Sequence, residues 1–323
     1  MDACCSKYFY VMPLKQVIES HVAAGVVGYR RYVAEKSLQI FSSPRGGSTW
    51  LMSMLSQLPG VVGVWEPLHQ TRGVVPRSWG HRPHRDSMLK PDEDIFNEVL
   101  AGNRVNVWTM SRTRLNEART SSQLLIKYVR ANNLLPWILR RWKLRHKPIF
   151  LMRHPWDTVT SHVRAFGGIS PEQDVLKDFP GHSELHLRWP MIREVSDARI
   201  RQLHVWCVLN APIWQQYSNS SEVIPLHYHD LVLNPEQCMV NLIQRLDWNH
   251  PTNSDWRPYD FVRTLDPLQR SNTDFKGDLI RTPAKQLWKN LEALSAECKE
   301  EVQVVFEEYG ITQYSMEDIR PLE

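Results

Sequence analysis

A short β-type run, Leu38-Gln39-Ile40-Phe41, leads directly into Ser42-Ser43-Pro44-Arg45-Gly46-Gly47-Ser48-Thr49-Trp50. Apolar residues then recur at helical spacing, at Trp50, Leu51, Met54, Leu55 and Leu58, until Pro59-Gly60 stops the pattern. The order is strand, glycine turn, helix. Gly46 and Gly47 permit a tight turn and a close approach of backbone to an anion. The helix that begins here presents N–H groups with no partner inside the helix, at the positive end of its dipole. Ser48 and Thr49 add hydroxyl donors, and Arg45 adds a guanidinium for phosphate or sulfate oxygens. A plain β–α turn with capping serines uses the same residue types. In a chain with only 14 glycines, however, a Gly-Gly pair at this junction is less expected by chance. The segment is not a Walker A loop, which ends in Gly-Lys-Ser/Thr where this chain reads Gly-Ser-Thr-Trp.

Working outward, further strands are expected at Val61-Val62-Gly63-Val64-Trp65, Leu124 to Tyr128, Ile149 to Met152 and Val223 to Tyr228. Pro225 either argues against the last of these as a strand or marks it as an edge. Helical spacing covers Leu14 to Val33, resumes near Ile95 and again from Trp156 to Phe166, and is expected over roughly 235–247 and 284–309. Residues 69–93, rich in Arg, His and Pro, read as a long functional loop. Strands alternating with helices predict an α/β fold, with a central, mainly parallel sheet flanked by helices in three layers. Residues 1–36 read as a helical extension and 37–323 as one domain.

A second anchor follows the same logic. Ile149-Phe150-Leu151-Met152 ends in Arg153-His154-Pro155-Trp156-Asp157, with Ser161 two helical turns on. Arg153 at the strand end and Ser161 on the helix are placed to share one phosphate at the C-terminal edge of the sheet. The bland reading of Arg153 is a salt bridge with Asp157. Pro44 through Leu51 resemble the 5′-phosphosulfate loop of the sulfotransferases that use 3′-phosphoadenosine-5′-phosphosulfate (PAPS). Arg153 and Ser161 resemble the same family's 3′-phosphate motif. Tyr228-His229-Asp230-Leu231, followed by Pro235-Glu236, resembles its Tyr-Glu-Asp-Leu…Pro-Glu stretch, with His229 in place of the glutamate. Leu279-Ile280-Arg281-Thr282 resembles, more loosely, the late region that closes over the nucleotide.

The resemblance implies a P-loop-like fold, PAPS as co-substrate and no metal. It places Arg45, Gly46, Gly47, Ser48, Thr49 and Trp50 around the 5′-phosphosulfate, with Arg153 and Ser161 on the 3′-phosphate. Tyr228 and Arg281 complete the nucleotide site. Sulfuryl transfer needs a base for the acceptor hydroxyl and fixed positive charge for the leaving phosphate. Glu66, at the end of the second strand in Trp65-Glu66-Pro67, is the leading base, as in the carbohydrate and bacterial branches, and its alternative is a capping or salt-bridged carboxylate at a strand end. The cytosolic branch uses a histidine in a Lys-x-His strand. Here Lys127 is kept, but Val129 stands where that histidine would fall. Lys127 is then a candidate for holding the bridging oxygen, and its alternative is a lysine on a strand edge. His69, His81, His84 and His162 are reserve bases. The competing functions are a nucleotide kinase or other P-loop phosphotransferase, and a non-catalytic nucleotide-binding scaffold.

Composition sets the remaining bounds. The net charge of +4 suits an anionic partner and is too small to imply nucleic acid. The five cysteines are few and odd in number, so a reducing, cytoplasmic setting is expected, with Cys4-Cys5 as free thiols or acylation sites. No run reaches ~18 apolar residues, and no secretory signal is evident at the N-terminus. The basic run from Arg140 to Lys147 suits an anionic membrane surface or, more simply, a solvated helix end. Arg72, Arg77, Arg82 and Arg85 of the long loop are open to an acidic acceptor. The expected acceptor is a glycan, glycolipid or small-metabolite hydroxyl.

Overall fold

The structure is a computed structural model, and it describes residues 13–248 and 283–322. Five parallel strands form its sheet: β1 (Leu38–Ser42), β2 (Val61–Trp65), β3 (Gln123–Tyr128), β4 (Ile149–Met152) and β5 (Ile224–His227), in the order β2-β3-β1-β4-β5. β1, β2 and β4 are buried along their whole length, as strands of a parallel sheet covered on both faces are, and even the polar Gln39 and Ser42 of β1 are buried. β5 is an edge strand, which is where Pro225 is tolerated. The pairing sets Phe41 beside Tyr128 on one side and beside Phe150 on the other, so β1 is the spine of the core.

Helices α1 (Leu14–Arg30) and α2 (Ser48–Leu55) bracket β1 in sequence. α3 (Lys90–Leu100) and α4 (Leu115–Thr120) lie between β2 and β3, and α5 (Leu135–Arg141) precedes β4. α6 (Pro155–Phe166) follows β4 directly. α7 (Val175–Asp178), α8 (Ser183–Ile192) and α9 (Ala198–Tyr217) lead to β5, and α10 (Tyr228–Leu233) and α11 (Pro235–Arg245) follow it. α6 packs on α9, and α1 packs on α4. Ala23 and Val27 of α1 belong to the same hydrophobic cluster as the sheet.

Three sequence expectations shift. Tyr228 does not end the fifth strand: it opens α10, with His227 in extended geometry before it. The helix expected from 95 begins at Lys90, where Asp92 accepts from the Leu89 N–H at 2.8 Å. The single helix expected over 284–309 is two, Pro283–Glu292 and Ala296–Glu308. The Ser295 side chain caps the second by accepting from Cys298 N. Among the described residues no helix is long and apolar enough to cross a membrane.

β1 sends the chain toward β2, whereas β4 sends it toward β5. The connection therefore changes direction between two adjacent strands. The crevice this leaves at their carboxyl ends is where an open α/β sheet receives a ligand.

Candidate functional site

The turn after β1 is held in a shape that few residues tolerate. Gly47 has φ 91° and Arg45 has φ 68°, both in the left-handed region. A Cβ on Gly46 would sit 2.3 Å from the Ser42 hydroxyl oxygen, and one on Gly47 would sit 2.2 Å from the Tyr228 ring. The pair is therefore fixed by sterics as well as by dihedral angle. Gly46 N–H donates back to the Ser43 carbonyl at 3.0 Å. Among the described residues the N–H groups of Gly47, Ser48 and Thr49 have no acceptor, which leaves three donors at the start of α2. The base of the turn is anchored from α9. Asn210 Oδ1 accepts from Ser43 Oγ at 3.1 Å and from Asn132 Nδ2 at 3.0 Å, and its amide donates to the Trp206 carbonyl at 2.7 Å. Trp50 on α2 has a buried indole N–H without a partner among the described residues.

The second anchor meets this turn. Arg153 donates to the Arg45 carbonyl at 2.7 Å, pairs with the fully buried Asp157, and lays its guanidinium 4.6 Å from the centre of the Tyr228 ring. Ser161 accepts from Arg45 Nε at 2.9 Å. The salt bridge anticipated as the bland reading of Arg153 is thus real, and so is its place beside the loop. Asp157 also accepts from Asn290, which ties α6 to the helix Pro283–Glu292. Arg45, Gly46, Gly47, Arg153, Ser161 and Tyr228 are brought together. Arg281, like Cys4 and Cys5, lies outside the described residues.

On the other side of β1 the site becomes a charge cluster. Glu66 has φ 37°, so it too is left-handed, and its N–H donates to the Lys127 carbonyl at 3.1 Å. Its carboxylate is clamped: Oε1 accepts from Lys127 Nζ at 2.8 Å and Oε2 from Arg130 Nη1 at 2.9 Å. Burial alone would raise its pKa, but the charges of Lys127 and Arg130 override this and hold it at about 2. Lys127 is only 1% exposed. Its Nζ lies 3.2 Å from the centre of the Trp65 ring, and burial pushes it down to about 8 despite Glu66. β3 is flanked by β2 and β1, so Lys127 is not on a strand edge.

The reserve histidines are engaged elsewhere or uncharged. His69 Nδ1 accepts from the N–H groups of Thr71 and Arg72, each at 3.4 Å, and burial holds the ring at about 3. His84 caps a turn by accepting from Asp86 N, and His81 approaches Asp178 at 3.9 Å. His162, beside Ser161 on α6, is held at about 3 by burial and by Arg82, Arg130 and Arg45. Arg130 is the residue that sequence reasoning missed. It stands two places beyond β3, as Arg153 stands one place beyond β4, and a cation just past a parallel strand was the available signal. The Arg140–Lys147 run is largely solvent-exposed, with Arg141 paired to Glu93. Among the described residues no group of three His, Cys, Asp or Glu side chains is placed to hold a metal ion.

No protein-family model matches the chain, and no curated protein matches it. Among solved structures it is similar to the sulfotransferase domain of the Synechococcus PCC 7002 olefin synthase, at 19% identity over 85% of this chain and 96% of that one, with a TM-score of 0.41. It is similar to mouse sulfotransferase SULT7A1 complexed with PAP, at 11% identity over 90% of each chain, with a TM-score of 0.43. It is also similar to sulfotransferase STF9 from Mycobacterium avium, at 14% identity over 96% of this chain and 86% of that one, with a TM-score of 0.40.

Proposed function

We propose that this protein is a PAPS-dependent sulfotransferase acting on a hydroxyl of a glycan, glycolipid or small metabolite. The observation that carries the reading is the turn of residues 44–49, with three open N–H groups, two arginines laid across it, and a lysine and a third arginine one strand away. Donors and cations converge there as an anion of several charges requires. The residues suit PAPS in particular: the steric cradle at Gly46 and Gly47 suits a phosphosulfate, and Arg153 beside Tyr228 suits a phosphate next to an aromatic base.

PAPS, when bound, supplies a sulfonate on a phosphate leaving group. The chain then has three tasks. The N–H groups of Gly47, Ser48 and Thr49, with Arg45, bind and orient the phosphosulfate. Lys127, fixed by Trp65 and Glu66, faces the charge that grows on the leaving oxygen. Glu66 takes the acceptor's proton as the new oxygen–sulfur bond forms and the old one breaks. The carboxylate is ionised throughout the working pH range, but it is a weak base while both cations hold it. This role requires the acceptor to displace Arg130, which at 22% exposure is the looser partner, from Oε2.

The test is transfer of label from PAPS to a panel of sugars, lipids and small alcohols, beside nucleotide binding followed by thermal shift. 3′-Phosphoadenosine-5′-phosphate (PAP) is expected to bind far better than adenosine 5′-phosphosulfate, which lacks the 3′-phosphate. Arg153→Ala is expected to remove about 1.5–3 kcal/mol of that preference. Equal binding of the two nucleotides by the wild type rejects the assignment of Arg153 and Ser161. Tight PAP binding without transfer to any acceptor favours a scaffold.

A further inference from the structure

Arg82 of the long loop is turned toward the end of β3. Its Nη1 approaches the carbonyl of Val129, the residue before Arg130, at 3.4 Å, and its own carbonyl accepts from His182 Nε2 at 2.7 Å. Arg72 instead lies over Trp108, and Arg85 pairs with Asp86. Among the described residues no carboxylate pairs with Arg82. The neighbouring ionisable groups make this more notable. His162 feels Arg82, Arg130 and Arg45 together and is held uncharged, and Glu66 is already shared by Lys127 and Arg130. Burial, with Arg130 adding to it, pushes the Arg82 guanidinium down to about 9, so it stays charged at neutral pH. A half-buried cation without a counter-ion is costly, and folds keep such groups where a ligand supplies the missing charge.

The position of Arg82 indicates which ligand. Arg153 and Tyr228 lie on the β4 side of the turn, where the nucleotide is placed. Arg82 and Arg130 lie on the β3 side with Glu66, where an acceptor hydroxyl must enter if Glu66 takes its proton. We infer that the acceptor is itself an anion, and that Arg82 and Arg130 bind a carboxylate, sulfate or phosphate it carries close to the reacting hydroxyl. The direction of entry rests on the sulfotransferase reading; the anion site does not.

The experiment is calorimetric titration of PAP-saturated protein with inorganic sulfate, with glucuronate and with uncharged glucose. Saturable binding of one or both anions is expected, with none of glucose. A preference for glucuronate points to carboxylate acceptors, and one for sulfate points to sulfated or phosphorylated ones. Arg82→Met is expected to weaken anion binding about tenfold or more while leaving PAP affinity unchanged. It should melt no lower than wild type, since no carboxylate loses a partner. Arg82→Lys keeps the charge and should bind at an intermediate level. If Arg82→Met fails to fold, wild-type anion affinity in Arg82→Lys overturns the inference. So does the absence of anion binding to the PAP-saturated wild type, or equal binding by Arg82→Met. If PAP itself does not bind, the sulfotransferase reading fails alone. The anion titration is then read without nucleotide, and the Arg82→Met difference still decides the anion site.

Discussion

Glu66→Gln removes one charge from a carboxylate that serves two cations. The shape is kept, and the amide oxygen can still accept from Lys127, but the amide NH2 is left facing a guanidinium. Two estimates of the cost agree. Holding the carboxyl at about 2 instead of its ordinary 4.5 is worth about 3 kcal/mol at neutral pH. Removing one partner of a buried ion pair costs about 3–5 kcal/mol, because Lys127 is left buried without a counter-ion. Spread over an unfolding entropy of about 2.1 cal/mol/K per residue for 323 residues, about 3 kcal/mol lowers the melting temperature by about 4 °C. The pH dependence follows from the sign of the shift. The folded-state pKa is depressed, so the contribution is complete above about 4.5 and fades as pH falls toward about 2. Melting curves of wild type and Glu66→Gln, followed by circular dichroism from pH 7 to pH 3, should therefore converge in acid. Adding Lys127→Met should recover part of the loss, since the stranded charge goes with it. If the two proteins melt together at pH 7, or if the gap persists unchanged to pH 3, the clamp does not stabilise the fold. Turnover of Glu66→Gln, assayed beside stability, is expected to fall ~10²–10⁴-fold if Glu66 is the base.

The pH profile of kcat/KM should lack an acid limb near pH 6, because Lys127 and Arg130 keep Glu66 ionised well below that; a limb at pH 6–7 would move the proton acceptor to another group. Gly47→Ala should both destabilise the fold and abolish PAP binding, since its Cβ meets the Tyr228 ring at 2.2 Å and its φ is 91°; calorimetry with PAP checks this, and near-normal affinity would show the turn to be pliable. Asn210→Leu should cost about 1–3 kcal/mol by stranding the buried Ser43 and Asn132 side chains, and should weaken PAP binding by loosening the turn, both read by thermal shift with and without nucleotide.

The sequence by itself determined the parallel sheet and the location of the tight glycine turn after β1. Both are local: short, mainly apolar runs name buried strands, and Gly46-Gly47 before a helix names a backbone that turns tightly. The edge position of β5 was legible in Pro225, because a missing N–H is a local fact. The pairing of partners was not local. Arg153 and Ser161 were expected to face one phosphate, yet the fold crosses them with Arg45, because Arg45 and Arg153 project from adjacent parallel strands into one crevice. Glu66 was read as a base from its place after β2. Its weakness as a base comes from Lys127 and Arg130, more than sixty residues away, which reach it only because β2 pairs with β3 with Trp65 beside Lys127. Asn210 carries no signal in the sequence at all, and Arg82 was legible only as one of four loop arginines open to an acidic acceptor. Their roles depend on which carbonyls, carboxylates and amides a folded chain sets within a few ångströms of them, and only the tertiary structure decides that.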